Sequence, residues 1–380
     1  MVKGKPLARK NSEHINYKSI MFPCEYLSDW IRMIDTEGTI IYQNQIMIEE
    51  CGNLIGKNSY IEDSHDLGIP AGVKLEKFKD KDIVTRELEF DDEIFFVRST
   101  LVYDENEKVI AIVEDFRNIT SEVIAIKSLE HNARKNRKEL DAARNIQRGI
   151  LPEKGNHNGL LVEYKYIPSQ FLSGDMFDVI KIDDHRVGVY IADVVGHGLS
   201  SSLITMFIRQ TVRYLIKGKK IANPNKVLRN LIARFEELQL ADNIYFTIFY
   251  GVFDTRTNEY KYANAGHNAI PIKIGIDGKI ELLEGKGLPI SLIFTKGKYV
   301  ENTINLQKGE RILFYTDGIT ETKDYFNELF GIDNLINTIK KNNLNLLDDI
   351  VNSVSMYRWG AQEDDIALLL IERVEGKDVD

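Results

Sequence analysis

From Ile119 to Ile150 the chain carries no proline, and Gly149 is the sole glycine of that stretch. Ile119, Ile126, Ala133 and Leu140 recur every seven residues, and Leu129, Asn136, Ala143 and Ile150 fill the second seam position of the same register. A run this long without a breaker predicts one helix over 119–150. A two-position apolar seam predicts a parallel coiled coil, and so a homodimer, with Asn136 fixing the register at some cost in stability. The alternative is a single connecting helix that packs one stripe on its own domain. In either case the helix divides the chain into two segments.

The segment before the helix begins with the basic, polar "MVKGKPLARKNSEHINYKSIMF", which lacks the apolar core of a signal peptide. Residues 1–18 are expected to form a flexible tail. Residues 19–118 read as short strands and turns. "DWIRMIDTEGTIIYQNQIMIEECG" is strand, turn at Thr36-Glu37-Gly38, strand and short helix; "TRELEFDDEIFFVRSTLVYDENEKVIAIVEDFRNIT" is three strands parted by Asp91-Asp92 and Asp104-Glu105-Asn106. The expectation is a small antiparallel sheet with helices inserted after its second strand.

Leu151-Pro152 ends the long helix, and a larger domain is expected over 151–374, followed by a tail at 375–380. Strand-length apolar runs ("LVEYKYI", "RVGVYIAD", "YFTIFYGVFD", "RILFYTD", "DIALLLIE") are interrupted by a helix after Gly198 and by "NKVLRNLIARFEELQ", entered through Asn223-Pro224. Many strands with few helices predict a sheet sandwich flanked by helices, in the α+β class.

Acids stand at the ends of these strands. Asp175 and Asp178 lie in "SGDMFDVIKI", Asp193 closes "VGVYIAD", Asp317 closes "RILFYTD", and Glu363, Asp364 and Asp365 precede "IALLLIE". Singly, each reads as a turn residue or a solvated acid. Converging, they would raise one another's pKa unless a cation compensated them. Mg2+ and Mn2+ prefer such oxygen ligands, and two ions about 3.5–4 Å apart can activate water for displacement at phosphorus. Cys24 and Cys51 are the only cysteines and no His/Cys spacing suggests zinc; a reduced, cytoplasmic protein is expected. A net charge of −9 argues against general affinity for nucleic acid or anionic membrane, and no apolar run is long enough to span a bilayer.

Together "SGDMFDV", "IADVVGHGLSSSL", "YFTIFYGVFDTRTNEYKYANAGHNAIPI", "LFYTDGITETKD" and "EDDIALLLI" resemble the SpoIIE/RsbU-type serine phosphatases of the PPM superfamily, in the family's order over nearly all of 151–374. "LDAARNIQRGILP" is similar to the segment that enters such domains. The resemblance implies an αββα sandwich with two Mn2+ or Mg2+ ions that removes phosphate from phosphoserine or phosphothreonine in a protein. It implies Asp193 as the bridging ligand, the Val194 backbone carbonyl, Asp175, Asp317 and Asp364 as further ligands, and a metal-bridged hydroxide as nucleophile. Asp178 and Asp365 are possible additional ligands. The superfamily's Asp-Gly is Asp193-Val194 here, which a main-chain ligand tolerates. His197 sits two positions beyond the superfamily's metal-side histidine and receives no general-acid role. No arginine near the first motif matches a phosphate-gripping residue. His267, in "NAGHNAIP", reads as structural at a strand end.

The N-terminal segment is similar to a PAS domain, through "WIRMIDTEGTIIYQNQIMIEECGNLIGKN" and "VIAIVEDFRNITSE". Light-sensing members carry a reactive cysteine where this chain has Ser59, which disfavours flavin-adduct chemistry; His65 reads as a surface residue rather than a haem ligand. The resemblance implies a phosphatase regulated by a PAS-like domain through an upstream activator or small ligand. Its implied substrate is a phosphorylated anti-sigma-factor antagonist in a bacterial partner-switching, stress-response pathway. Two alternatives remain. One is a catalytically silent pseudophosphatase that binds a phosphoregulator, against which the intact acid set counts. The other takes "DVVGHGLSSSL" as an ATPase glycine box, although that box wants Asp-x-Gly-x-Gly, one residue tighter between Asp193 and Gly196, and an upstream helix where 163–190 reads as strands.

Overall fold

The computed structural model describes residues 22–60, 69–196, 198–241, 243–294, 298–341 and 345–375. The expected tail at 1–18, His65, His197 and residues 376–380 of the expected C-terminal tail lie outside them. The chain divides into two compact units, Met1–Lys135 and Asn136–Asp380.

The first unit holds strands β1 (Trp30–Asp35) and β2 (Ile40–Gln43), helix α1 (Gln45–Cys51), and strands β3 (Ile83–Phe90), β4 (Glu93–Tyr103) and β5 (Val109–Asn118). They form one antiparallel sheet in the order β2-β1-β5-β4-β3. The helical insertion after the second strand is the expected one. Asn44 caps α1, its side-chain oxygen accepting from the Met47 N–H at 3.4 Å. Ile34, Ile40, Met47, Phe95, Val97 and Phe116 build the core. Ser59 is buried and donates its hydroxyl to the Gly38 carbonyl at 2.8 Å.

Helix α2 (Thr120–Gly149) realises the long helix read from the sequence, and the boundary between the units falls inside it. Among the described residues no helix is long and apolar enough to cross a membrane.

In the second unit the chain runs through β6 (Gly155–His157), β7 (Leu160–Ile167), β8 (Asp175–Lys181), β9 (Arg186–Val194), α3 (Leu199–Arg213), α4 (Pro224–Glu236), β10 (Tyr245–Asp254) and β11 (Glu259–Ala265). It continues through β12 (Ile272–Ile274), β13 (Ile280–Leu282), β14 (Ile290–Ser291), β15 (Asn302–Asn305), β16 (Arg311–Tyr315), α5 (Asp317–Thr320), α6 (Gly331–Lys340), α7 (Leu346–Tyr357) and β17 (Ile366–Arg373). One six-stranded sheet has the order β15-β11-β10-β9-β8, with β14 on β10; the other has β13-β12-β16-β17-β7-β6. Alternation along each strand decides the layers. Phe177, Val179, Val189, Ile191 and Phe249 meet Phe314, Ala367 and Leu369 between the sheets. Met176, Ile180, Tyr190 and Tyr250 face Val212, Leu231 and Phe235 of α3 and α4. Leu313, Leu368 and Leu370 face Leu335, Ile339 and Ile350 of α6 and α7. The result is the αββα sandwich, helices outside and two sheets within.

Candidate metal centre

β8 and β9 pair so that Asp175 lies opposite Asp193. Both are in phase with the residues that face the other sheet, so both carboxylates point between the sheets at the end of the sandwich. Asp178 is three residues from Asp175, an odd step that turns it to the other face, in phase with Met176 and Ile180. There Arg213 grips it through Nε (2.6 Å) and Nη2 (2.9 Å), and Arg209 Nε stands at 3.7 Å. The structure does not bring Asp178 to the cleft, so its expected place as an additional ligand is corrected: it joins the sheet to α3.

From the facing sheet, β16 delivers Asp317 at the first position of α5. A Cβ on Gly318 would stand 2.0 Å from the Asp365 carbonyl oxygen, so the Asp-Gly pair lets α5 lie against the 364–365 segment. Asp193, Val194, Asp317, Glu321 and Asp364 line one cleft of about 460 Å³, together with Arg358. Glu321, four residues after Asp317, was not singled out from the sequence, although that spacing would set the two acids on one face of a helical turn.

Asp365 has another task. Its Oδ1 accepts from the Ser169 N–H (2.7 Å) and hydroxyl (2.9 Å), and its Oδ2 from the Gly174 N–H (2.7 Å). The Gly174 carbonyl accepts from the Val194 N–H at 3.1 Å. In a continued antiparallel ladder the Gly174 N–H would return to the Val194 carbonyl; Asp365 draws it away instead. A side chain at Gly174 would collide with the Val194 and Gly196 carbonyl oxygens, 2.9 and 2.8 Å from its Cβ position. Asp365 thus shapes the loop under the cleft with both of its oxygens engaged.

The electrostatics are those of crowded, buried acids. Burial, then Asp193 and Asp365, drive Asp175 well above the usual carboxylate range, and its Oδ2 is buried with no hydrogen-bond partner. Burial, then Asp317 and Asp364, push Asp193 up to about 8. Burial and Asp364 raise Asp317 to about 6. An all-oxygen acid set with an orphaned buried oxygen fits hard divalent cations. Among the described residues, no three His, Cys, Asp or Glu side chains already enclose an ion. Mg2+-type sites do not need such a cage, because these ions keep several waters and take only one or two carboxylates each.

Two groups hold the strands that carry the acids. His267 is buried, its Nε2 3.1 Å from the Tyr315 carbonyl and its Nδ1 3.0 Å from the Thr247 hydroxyl. A carbonyl can only accept, so Nε2 carries the proton and Nδ1 accepts from Thr247. Burial lowers the imidazole to about 4, so it is neutral. Thr247 lies opposite Asp193 and Tyr315 is two residues before Asp317, so His267 bridges the acid-bearing ends of both sheets. This is the structural role expected for it. Gln147, from the last turns of α2, is also buried; it donates to the Ser173 carbonyl (2.9 Å) and accepts from the Ser173 N–H (3.1 Å). Nothing in the helical pattern marks Gln147, since its partner is 26 residues away.

The model of the family described as "Stage II sporulation protein E (SpoIIE)" matches residues 183–374, which include Asp193, Asp317 and Asp364. The chain is 33% identical over 192 residues to phosphoserine phosphatase RsbP of Bacillus subtilis (strain 168), covering 49% of this chain and 46% of that protein. It is 27% identical over 239 residues to phosphoserine phosphatase RsbU of the same organism, covering 62% of this chain and 70% of RsbU. The chain thus spans about half the length of the first of these relatives. Among solved structures, the SiaA-PP2C domain of Pseudomonas aeruginosa superposes with a TM-score of 0.55 at 20% identity, over 63% of this chain and 98% of that one. That likeness shows the fold, a PP2C-type α+β sandwich. With the matched model spanning half of its residues, the chain belongs to the SpoIIE family.

Proposed function

We propose that the chain is a metal-dependent protein serine/threonine phosphatase. The carrying observation is that Asp193, Asp317 and Asp364, from both sheets, line one cleft in a chain of this family, with Asp175 buried behind them and within electrostatic reach of Asp193 and Asp364. Asp193, the Val194 carbonyl, Asp175, Asp317 and Asp364 would hold two Mn2+ or Mg2+ ions. Bound there, the ions supply charge neutralisation and an activated water for attack at phosphorus. The chain's own part is to crowd these acids together, against a repulsion that bound cations would relieve, and to keep their strands in place through His267 and Asp365. Arg358 and Lys323, on the cleft wall, offer cationic donors to a phosphate. Neither was legible as a phosphate-gripping residue, because they reach the cleft from loops remote from the first motif.

The same reading extends to regulation. The antiparallel sheet of the first unit, with its helix after β2, supports a PAS-like input domain. The exposed Ile126 and Leu129 of α2 support a homodimer through the helical seam. The relatives named as phosphoserine phosphatases support a phosphoserine substrate; within that class the reading takes a phosphorylated anti-sigma-factor antagonist, in a cytoplasmic partner-switching pathway, as the substrate to test.

The test is phosphate release from p-nitrophenyl phosphate and from a phosphoserine protein, with Mn2+, with Mg2+ and with chelator. Turnover is expected to require the metal, to fall at least about 100-fold in Asp193→Asn and Asp317→Asn (about 2.7 kcal/mol in the barrier), and to keep its metal dependence in Asp178→Asn. No turnover from the wild type under any condition would leave the pseudophosphatase reading in its place.

A further inference from the structure

An aromatic group stands in solvent beside the cleft. Tyr325, Phe326 and Trp359 are 64%, 77% and 67% exposed. They are nonetheless arranged: the Tyr325 ring meets Trp359 edge-on at 5.0 Å and Phe326 edge-on at 5.2 Å between centroids. The backbone beneath them is pinned. Asp324 Oδ1 accepts from the Phe326 and Glu328 N–H groups (2.8 and 2.9 Å). The Trp359 N–H donates to the Lys323 carbonyl at 3.0 Å. The Tyr357 hydroxyl reaches the Glu328 and Leu329 carbonyls at 3.3 and 3.2 Å.

Three large rings held in water by a pinned turn are a departure from what a soluble surface ordinarily shows. Rigid aromatics of this kind supply contact area at low entropic cost and dominate protein recognition sites. Trp359 also lines the acid cleft, as do Lys323 and Arg358, so the aromatic surface and the cleft are continuous. Lys323 lies 3.4 Å from Glu363, and Arg358 donates to Gln362 at 3.4 Å.

We propose that Tyr325, Phe326 and Trp359 form a docking platform for the protein substrate, taking apolar side chains that flank its phosphoserine while the phosphate enters the adjoining cleft. The proposal rests on the phosphatase reading. Charge selects this occupant. A phosphoseryl dianion complements Lys323, Arg358 and the cations the acids would hold. A second copy of a chain with net charge −9 brings no such group.

The experiment uses the full chain and two synthetic phosphoserine peptides of equal length and charge, one with leucine on each side of the phosphoserine and one with glycine. The wild type is expected to favour the leucine peptide by about tenfold in kcat/KM, mostly through KM. The Tyr325→Ala/Phe326→Ala variant, altered only at exposed positions, is expected to bring the two peptides within about twofold while p-nitrophenyl phosphate hydrolysis stays within about twofold of wild type. A fluorescein-labelled leucine peptide bearing a non-hydrolysable phosphonate reads docking without turnover: its anisotropy should rise with the wild type and not with the variant.

Equal turnover of both peptides by the wild type would overturn the platform, as would a parallel loss of p-nitrophenyl phosphate hydrolysis in the variant. A wild-type dimer that becomes a monomer in the variant by light scattering would assign the patch to a second copy and overturn it too. Phosphonate binding without hydrolysis of any ester would sink the phosphatase reading and spare the platform. Hydrolysis of p-nitrophenyl phosphate without phosphonate binding would do the reverse.

Discussion

Asp193 enters the fold with burial, Asp317, Asp364, Asp365 and Glu321 all acting against its negative charge. Its pKa rises from 3.8 unfolded to about 8 folded, so between those values the folded chain binds more protons than the unfolded one. Stability from this group is therefore lost as pH rises through that window. His267 acts in the opposite sense: neutral when buried, with a pKa of about 4 against 6.5 when free, it adds stability as pH rises between those two values. The interval from about pH 6.5 to 8 thus isolates the acids. In chelator the melting temperature should fall across it, Asp193→Asn should flatten the slope, and Mn2+ should raise the melting temperature most at the upper end, where the acids are ionised. A melting temperature that rises across this interval in chelator would refute the assignment.

At the level of elements, α2 and the loop at 169–174 act on one another. Gln147 holds Ser173, and Arg144 donates to the Phe171 carbonyl at 2.8 Å while its guanidinium lies 4.9 Å from the Phe171 ring. The loop then delivers Asp175. Gln147→Ala leaves the buried Ser173 N–H and carbonyl unpartnered and is expected to cost about 1–3 kcal/mol. It should also weaken Mn2+ binding, read as a higher Mn2+ concentration for half of the metal-induced rise in melting temperature. An unchanged Mn2+ requirement would confine Gln147 to stability alone. Much of this site was legible in the sequence: each acid abutted an apolar strand, and the helix at 119–150 needed only the absence of breakers. What escaped was facing and reach. Asp178 looks equivalent to Asp175 until the strand's alternation turns it toward Arg213. Gln147, Arg358 and Asp365 gain their places from contacts between segments up to 196 residues apart, which no local pattern records, whereas the step of four from Asp317 to Glu321 is a local signal.

For the whole molecule, the first unit has its own sheet and core, as a separable input domain requires. Removing residues 1–118 is expected to leave metal-dependent hydrolysis of p-nitrophenyl phosphate intact while changing its rate or its response to a partner protein. Steady-state kinetics of the full and shortened chains would check this, and identical behaviour in every condition would refute control by that unit. The second unit carries a different consequence. β17 is inserted between β16 and β7, and Asp364 and Asp365 arrive immediately before it. While the protein is being made, β7 must therefore wait for a neighbour that the ribosome delivers on the order of 10–40 s later at typical synthesis rates. Until then one of its edges is open, a target for chaperones. The Ser169–Gly174 loop is also without its clasp. A half-made chain is thus exposed along β7, and the wall of its acid cleft is fitted last.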